Sequence, residues 1–478
     1  VFLGMGIGAV YKILMNGFKV WPESLTYEIK NILKGGVLAI EATPALFGVG
    51  YILGPRVAGY MISGAVFGYL GVGPLLAFIG DQVPGVVFAP ASAALGDPAL
   101  SDMTSGQIRN FYIKYLGVGA VALGGFIALL RAFPTIIRTF KTGFGQMFSK
   151  ADVSENIPRT DQDIKMKWVV TGLAVVTLII LFLPGIDIRF SAWMSSIIFG
   201  FLFVVVAARI VGEIGSTNSP VSGMTIATLL VTSFILMGFG ASGVTGMVTT
   251  LMVGTVVCIA ICMSGDIAQD LKTGYLLGAT PRTQQLTEFV GLIFPAAAMG
   301  FTIFILNDAF GFVQTEATPN PLLAPQANVM ATVIEGAFGA SLPWAPIFVG
   351  GMVALGVELL GIGSLPFAIG LYLPLSLSTP IFAGGILHYV IKRSRGGSSL
   401  VEKRHQRGIL FASGLVAGDA LIGVFVAGMV AFGSGYRVYF EEHEGLFHSL
   451  TGDMGPYISS IAFVGLALFS WNYFRSKK

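Results

Sequence analysis

Residues 244–264 read VTGMVTTLMVGTVVCIAICMS, an apolar run that contains no charged side chain. A helix needs about 20 apolar residues to cross the hydrocarbon core of a bilayer, so this run predicts a membrane-spanning helix. Similar runs recur along the chain, at residues 1–15 (partial), 36–54, 56–80, 110–133, 167–184, 193–212, 221–240, 287–307, 344–363, 408–432 and 456–474. The sequence therefore predicts an all-α fold, a polytopic transmembrane helical bundle of about 12 spans.

The composition agrees with this fold class and excludes several others. Of the 478 residues, 54% are hydrophobic and only 11% are charged, and the mean hydropathy is +0.80. Because a soluble protein is about 25% charged, so few charges cannot cover a water-facing surface of this size. A soluble globular enzyme, a disordered protein and a nucleic-acid binder are therefore excluded. The 64 glycines indicate close helix packing in lipid, either within the chain or between two copies in a homodimer.

The first residues are already apolar and rich in glycine. Residues 1–10 lack the basic region that begins a signal peptide. We expect them to be the end of a span whose beginning lies upstream. On this interpretation, residues 1–478 form a single, N-terminally truncated transmembrane domain.

The placement of basic residues predicts the orientation of the spans. Lysine and arginine are enriched on the cytoplasmic side of membrane proteins. Residues 134–166 form a basic, amphipathic loop, residues 392–407 contain six basic side chains, and the C-terminus adds three more. All three regions are predicted to be cytoplasmic, and the acidic loop 433–455 is predicted to be external. The protein is thus expected to be a multi-pass protein of the cell membrane.

One apolar stretch, 364–391, does not fit a simple span. It is interrupted by prolines at positions 366, 374 and 380, and proline removes a backbone donor and breaks helices. A re-entrant hairpin of two half-helices keeps 392–407 on the cytoplasmic side and is the preferred prediction. A single kinked span is the alternative.

A weak internal repeat accompanies this stretch. Four positions match at a constant offset of 320, namely Gly50, Leu53, Gly64 and Tyr69 with Gly370, Leu373, Gly384 and Tyr389. Each copy is followed by a polar loop and a small-residue span, 116–127 in the first and 411–422 in the second. The basic residues place these two spans in opposite directions. This arrangement is typical of the inverted repeats of secondary transporters.

Three carboxylates, those of Glu41, Glu358 and Asp419, fall within predicted spans. Charge inside a membrane is costly and usually functional, and desolvation favours the protonated carboxyl. All three are therefore predicted to take part in proton coupling, and Asp419 is the strongest candidate because it lies mid-span among small residues. The alternative is that each reaches water or hydrogen-bonds a neighbour. The four histidines are all expected in loops or at span ends, at positions 388, 405, 443 and 448.

A predicted break in the helices between residues 209 and 225 offers polar groups at bilayer depth. Irregular backbone is tolerated there only where it lines a cavity or is buried in protein. The side chains predicted to bind substrate in this segment are those of Glu213, Ser216, Asn218, Ser219 and Thr225. A short cytoplasmic turn with a helix cap is the alternative.

A second polar segment, 264–286, follows the run quoted above. Its predicted substrate-binding side chains are those of Asp266, Gln269, Asp270 and Lys272. Asp266 and Asp270 are four residues apart and share one helix face. The mixed small, aromatic and charged content suits a gate or a packed loop, and an ordinary polar loop is the alternative.

Five motifs occur in the order found in one transporter family: PALFGVGYILGPRVAG, NSPVSGMT, QDLKTGYLLGATPRTQQ, LYLPLSLSTPIFAGG and ASGLVAGDALIG. Together they extend from about residue 40 to about residue 430, and the chain resembles the oligopeptide transporter (OPT) family. The resemblance implies a secondary active transporter that couples proton symport to the transport of small peptides or peptide-like metal chelates.

Rival classes receive less support from the residues. A channel or gated pore would need a filter assembled from repeated segments, and no such repeat is seen. An intramembrane protease would use Ser242 in the sequence GASG, but no histidine is expected mid-span to activate it. No nucleotide-binding motif or metal site is recognised, so we expect no cofactor and no enzymatic activity. The energy source should be a proton gradient, and the predicted partners are the substrate and the lipid bilayer.

Overall fold

The computed structural model describes residues 1–29, 33–83, 85–87, 98–148, 158–182, 190–214, 221–312, 321–322, 324–338, 343–433 and 454–475. Within this part of the chain, nine helices are long and apolar enough to cross a membrane: Pro44–Gln82, Ser105–Ala128, Arg159–Phe182, Phe190–Gly212, Val221–Gly238, Gly243–Leu277, Pro281–Phe310, Ser398–Phe432 and Gly455–Arg475. The predicted all-α polytopic bundle is therefore confirmed, with one small β-hairpin added.

The helices, in chain order, are α1 Phe2–Lys12, α2 Pro44–Val66, α3 Gly73–Gln82, α4 Ser105–Ile108, α5 Lys114–Phe148, α6 Met166–Phe182, α7 Phe190–Ile214, α8 Val221–Gly238, α9 Gly243–Leu277, α10 Pro281–Phe310, α11 Pro325–Ala337, α12 Trp344–Leu359, α13 Ser364–Tyr372, α14 Leu375–Lys392, α15 Ser398–Phe432 and α16 Gly455–Arg475. Strands β1 Ser24–Glu28 and β2 Val37–Glu41 pair antiparallel between α1 and α2. Wider π-helical turns occupy Ile13–Gly17, Phe67–Val72 and Arg109–Ile113.

The chain divides into two compact units. The first contains residues 1–121, 300–324 and 343–478, and the second contains 122–299 and 325–342. All of the predicted repeat except residues 122–127 lies in the first unit, where the close contacts between helices come in matched pairs.

The first matched contacts join α2 to α13 and α14. A methyl group at Gly50 would overlap the backbone of Ile381, and a methyl group at Gly370 would overlap the backbone of Met61. An offset of 320 converts one contact into the other, since it relates 50 to 370 and 61 to 381. The contacts of Gly64 with residue 367 and of residue 384 with residue 47 are related in the same way. Two segments with the same structure therefore pack against each other about a pseudo-twofold axis.

The second matched contacts join α1 to α15 and α5 to α12. Gly119 packs on the backbone of Ile347, and Gly414 packs in the same way on Val1. Two further glycines, at positions 350 and 4, pack on residues 116 and 411 respectively. The small-residue spans 116–127 and 411–422 therefore make equivalent contacts in the two halves. No side chain larger than hydrogen fits at these crossings, which explains the glycine content.

The direction of the helices shows that the repeat is inverted. Gly54 near the middle of α2 contacts His388 near the end of α14, whereas Ala65 near the end of α2 packs in one cluster with Leu375 at the start of α14. The second part of α2 and its counterpart α14 are thus antiparallel. Equivalent helices that run in opposite directions define an inverted-topology repeat, as predicted.

The expected span 36–54 is not a helix throughout, and that prediction is wrong. Its first part is strand β2, which pairs with β1 in the register Ser24 to Glu41. A short apolar run is consistent with a strand or a helix, and periodicity alone cannot separate them. Helix α2 begins at Pro44, because proline is favoured in the first turn of a helix and not within a paired strand.

The predicted boundary between spans 36–54 and 56–80 coincides with a break inside α2. Gly54 has φ 80° and ψ 172°, a conformation that side chains other than hydrogen rarely adopt. Pro55 follows directly and cannot donate a backbone hydrogen bond. The corresponding break between α13 and α14 falls at Leu373 and Pro374, which have extended backbone angles. The interruption of 364–391 is confirmed, and the choice between a re-entrant hairpin and a single kinked span stays a prediction.

Two predicted cytoplasmic loops are partly helical. Helix α5 continues to Phe148, beyond the expected start of the loop 134–166, and α15 begins at Ser398, within the expected loop 392–407. In the loop 433–455, residues 434–453 lie outside the described residues.

The second unit has its own core. Helices α7, α8 and α9 bury Ala207, Met224, Leu236 and Val257 in one hydrophobic cluster. The side chains of α6 are almost all exposed in the single chain, as expected of a helix whose apolar surface faces lipid.

Candidate functional site

The end of helix α1 and the middle of helix α15 lie side by side. A methyl group at Gly4 would overlap the backbone of Phe411, and a methyl group at Gly8 would overlap the backbone of Leu415 one turn further on. The two helices run in the same direction, so the next turn brings Lys12 close to Asp419. The glycine contacts thus place a cation and an anion together inside apolar helices.

Lys12 is shared by two carboxylates. Its Nζ donates to Glu23 Oε1 at 3.0 Å and lies 3.6 Å from Asp419 Oδ2. The side chains of Lys12 and Asp419 are each 12% exposed, whereas that of Glu23 is 39% exposed. Asn16 Nδ2 donates to the second oxygen of Glu23 at 3.1 Å. Buried charge is tolerated when it is paired, so this cluster ties the segment after α1 to α15.

Glu41 is a third carboxylate close to this cluster. It is the last residue of β2 and lies outside the helical spans. Burial raises the pKa of Glu41 to about 8; repulsion from Glu23 adds to this, and Lys12 opposes it. The Glu41 carboxyl is therefore mainly protonated at neutral pH.

Several buried polar atoms around the cluster have no hydrogen-bond partner among the described residues. They are Asn16 Oδ1, Thr43 Oγ1, Asp419 Oδ1, the Tyr11 hydroxyl and Trp21 Nε1. The rings of Tyr11 and Trp21 pack edge-on at 5.1 Å, where their polar atoms interact without the geometry of a full hydrogen bond. Buried polar groups are normally paired. This set therefore offers both donors and acceptors to a polar ligand or to water.

A cavity of about 880 Å³ lies against the β-hairpin. Its mainly apolar lining comes from both strands, α2, α14 and α16, and includes Ile62, Val66, Leu375, Thr379 and Tyr457. Thr26 of β1 pairs with Ala39 of β2, and both residues line the cavity. Two residues further along the hairpin, Ser24 pairs with Glu41. Side chains alternate along a strand, so Glu41 and Ala39 are on the same face of the hairpin. The ionised cluster is thus next to one end of an apolar cavity.

Comparison with known proteins identifies the family. A family model described as "OPT oligopeptide transporter protein" matches residues 1–430. The chain belongs to the OPT family. It is therefore a multi-pass membrane transporter and not an enzyme.

Two relatives agree with this assignment. A Haemophilus influenzae protein provisionally named an oligopeptide transporter is 29% identical over an alignment of 519 residues. The alignment covers 99% of this chain and 79% of the relative. A Saccharomyces cerevisiae protein, YGL114W, with the same provisional name is 24% identical over 284 residues, which cover 55% of this chain and 37% of the relative.

Glu358 has a structural contact in this OPT-family chain. Its Oε2 accepts a hydrogen bond from the backbone N–H of Ser364 at 2.9 Å, across the turn between α12 and α13. The first N–H groups of a helix have no partner within the helix, so Glu358 caps α13. Its predicted role in proton coupling stays a prediction.

The predicted substrate-binding segment 209–225 is described only in part. Residues 215–220, with Ser216, Asn218 and Ser219, lie outside the described residues, and so does the side chain of Glu213. Thr225 is buried in α8 and donates to the carbonyl of Val221 at 2.9 Å. The substrate-binding role of this segment stays a prediction.

The second predicted segment forms the end of α9 and a tight turn into α10. Asp266 and Asp270 are exposed, and Gln269 and Lys272 are half-buried. The turn is closed by Gly278 at φ 73°. The chain around Arg159 covers this turn, and the Arg159 guanidinium donates to the carbonyl of Gly278 and to the hydroxyl of Thr280, both at 2.9 Å. A cavity of about 460 Å³ lies beside the turn. The packed loop is thus observed, and its role in binding substrate stays a prediction.

Sequence reasoning missed Lys12 and Glu23. The usable signal was a single lysine in the apolar run 1–15, matched by a single aspartate in the run 408–432. It also missed that two histidines expected at span ends, His388 near the end of α14 and His405 near the start of α15, contact each other.

Proposed function

We propose that the chain transports short peptides together with protons, and that the cluster of Lys12, Glu23, Glu41 and Asp419 couples the two. The observation that supports this most directly is the buried ammonium of Lys12, shared by two carboxylates on different elements. Charge in a membrane protein is retained where it has a function, and paired acids are typical of proton pathways.

Protonation would redistribute the contacts of Lys12. With Asp419 ionised, Lys12 joins α15 to the segment after α1. A proton on Asp419 removes that attraction and leaves Lys12 with Glu23 alone. Because Asp419 lies on α15 and Lys12 on α1, proton uptake would weaken the contact between these two helices. A transporter needs a coupling group whose interactions differ between its states.

Peptides suit the chemistry of the site. The α-ammonium of a peptide is the same kind of cation as the side chain of Lys12, and it could be accepted by Glu41 and by the free oxygens of Asn16 and Asp419. The adjacent cavity of about 880 Å³ is large enough for apolar side chains. The provisional names of both relatives refer to oligopeptides. Peptide-like metal chelates share the ammonium and carboxylate groups and form the other substrate class to be assayed.

Uptake into proteoliposomes tests this function. The full-length chain is reconstituted, a pH gradient is imposed, and radiolabelled tri- and tetrapeptides are compared with an amino-acid-derived metal chelate. We expect saturable accumulation that follows the proton gradient. Asp419→Asn should abolish accumulation against a gradient and preserve peptide exchange, and Asp102→Asn, an exposed control, should behave like the original chain. Accumulation that remains pH-dependent in Asp419→Asn contradicts the role of this residue, and non-saturating flux indicates a channel.

The orientation of the chain is part of the same proposal. We place residues 392–407 and the C-terminus in the cytoplasm because of their basic residues. Cysteine introduced at Ser394, in a chain with Cys258 and Cys262 replaced by serine, should react with an impermeant thiol reagent only from the inside. Reaction of this cysteine from the outside would show that the orientation is opposite to the proposed one.

A further inference from the structure

The β-hairpin has a defined pattern of backbone hydrogen bonds. The N–H of Ala42 donates to the carbonyl of Glu23 at 2.8 Å, and the N–H of Ile29 donates to the carbonyl of Gly36 at 2.9 Å, one at each end of the paired strands. In an antiparallel pair, only alternate residues direct their backbone groups at the partner strand. The odd-numbered residues of β1 therefore bond to β2. The even-numbered residues, beginning with Ser24, direct their N–H and C=O groups away from it.

The two outer edges of the hairpin differ. The edge of β2 packs on α14, where the hydroxyl of Thr379 donates to the carbonyl of Ala39 at 2.7 Å. Along the edge of β1, the backbone groups of Ser24 and Thr26 have no hydrogen-bond partner among the residues that the structure describes. Both residues are exposed. An open strand edge of this kind is a template on which another extended chain can pair.

The open edge adjoins the cavity of about 880 Å³. Four consecutive residues of β1 line this cavity, namely Ser24, Leu25, Thr26 and Tyr27. Because side chains alternate between the two faces of a strand, a cavity that touches four residues in succession extends along the strand itself and not under one face alone. Pockets of about 300–1,000 Å³ hold small organic ligands, so this volume admits a short extended chain beside β1.

We infer that the open edge of β1 binds the transported peptide as a third strand of the hairpin. Hydrogen bonds to the main chain supply the affinity in this mode of recognition, and pockets for alternate side chains supply the selectivity. The peptide would lie with alternate side chains toward the apolar cavity. The inference rests on the proposed peptide transport and specifies how that substrate is recognised.

The charged cluster gives the bound peptide a direction. Glu23 immediately precedes Ser24, and Glu41 pairs with Ser24 across the hairpin. With three carboxyl groups to one ammonium, the cluster favours the α-ammonium of a peptide at this end. The peptide then runs parallel to β1. In a parallel pair, one peptide residue donates to the carbonyl of Ser24 and accepts from the N–H of Thr26, whereas its two neighbours direct their backbone groups away.

This mode of binding separates the two substrate classes. A peptide presents one amide to the strand at every second residue, at the same spacing as the free groups of β1. An amino-acid-derived metal chelate has no such row of amides in an extended chain. We therefore expect the site to favour peptides, to tolerate many different side chains and to require an unmodified backbone.

A series of N-methylated peptides tests the inference on the original chain. The full-length protein is reconstituted into proteoliposomes, and radiolabelled tetra-alanine competes with tetra-alanine methylated at the amide of its second, third or fourth residue. Only every second N–H faces β1, so methylation at the third residue, or at both the second and the fourth, should weaken competition about tenfold. The remaining analogues should compete like the unmethylated peptide. Equal effects at all three amides overturn the inference.

Two variants of one residue test the protein side of the contact. Thr26→Pro removes an N–H that points away from β2, and proline is tolerated at such an edge position. Thr26→Val retains this N–H, so the ratio of the two KM values isolates the backbone donor. We expect the KM for tetra-alanine to be about tenfold higher in Thr26→Pro than in Thr26→Val. Equal KM values overturn the inference. If Thr26→Pro does not fold, the methylated peptides decide alone.

The same measurements distinguish this inference from the proposed function. Saturable, proton-driven uptake of tetra-alanine without alternation along the methylated series overturns third-strand binding and leaves peptide transport intact. Uptake that alternates along the series supports both. A chain that takes up the metal chelate and no peptide overturns both.

Discussion

The two helix breaks of the first unit have the same place in the repeat but different chemistry. At the first break the carbonyl of Tyr51 lacks a donor and binds the ring of His388. At the second break the first N–H of α14, that of Leu375, meets the phenol oxygen of Tyr69, which also accepts from Arg109 Nε at 2.8 Å. One break is held by an imidazole ring, and the other by a permanent cation. The packing is repeated, but the chemistry that holds each break is not.

The first helices of the two halves differ in the same way. The glycine contacts relate position 4 to position 350, so the counterpart of Lys12 in α12 is Glu358. Lys12 joins several elements through two carboxylates, whereas Glu358 caps the N-terminus of the next helix. Among the contacts of the described residues, the charged cluster therefore occurs in one half, on a packing pattern that both halves share.

The largest effect is expected from Lys12→Met. Removing one partner of a buried ion pair leaves an uncompensated charge and costs about 3–5 kcal/mol. The melting temperature of the purified protein should fall sharply, and adding Asp419→Asn to the same chain should restore part of it. If Lys12→Met melts like the original chain, the ion pair is not important for the stability of this half.

The equivalence of the two halves can be tested at their glycine contacts. Gly50→Ala and Gly370→Ala each push a methyl group into backbone, and overpacking of this kind costs about 1–3 kcal/mol. The two variants should lose a similar amount of the free energy of unfolding. Gly59→Ala is the matched control in α2, since a methyl group there meets nothing within 4 Å. Chemical denaturation in detergent measures all three, and a loss confined to one half would show that the two contacts are not equivalent.

The next effect is a pH dependence specific to the first half. The pKa of Glu41 is raised from 4.5 to about 8, so the folded state favours the protonated form. Its contribution to stability is fully present below pH 4.5 and decreases as the pH rises toward 8, by at most about 1.4 kcal/mol per pH unit. Melting curves from pH 5 to 9 should therefore be flatter for Glu41→Gln than for the original chain. Identical slopes would exclude this titration.

The smallest effect is expected from Glu358→Gln in the second half. The amide still accepts from Ser364 and keeps the helix cap, so the cost should be about 1 kcal/mol. Glu335→Gln, on an exposed position of α11, is the control. A loss as large as that of Lys12→Met would mean that Glu358 has an unrecognised ionic role, and proton-driven uptake measured on the same variant would then be needed.

Much of the fold follows from local patterns. Apolar runs of sufficient length predicted the bundle, and prolines predicted the interruption at Pro374, because both effects act within one segment. Strand β2 was missed because its few apolar residues have the same composition as the start of a span. The inverted repeat was recognisable at Gly50 and Gly370, where backbone contact admits only glycine.

The site was less predictable because its contacts are distant in sequence. Asp419 could be selected as a charge within a span, but its partner Lys12 is more than 400 positions away. His388 and His405 were assigned to the ends of spans on the basis of apolar run lengths. Only the folded chain shows that α14 and α15 bring the rings to the break in α2.

The β-hairpin Ser24–Glu41 has no counterpart in the second half, where α12 is followed almost directly by α13. In a perfectly duplicated inverted transporter, exchanging the conformations of the two halves would generate the opposite-facing state at the same free energy. Among the described residues, one half alone contains the hairpin, Glu23, Glu41 and Lys12. We therefore expect the two facing states to differ in free energy without substrate, so that the hairpin, rather than the membrane-spanning helices, sets the side on which the transporter rests.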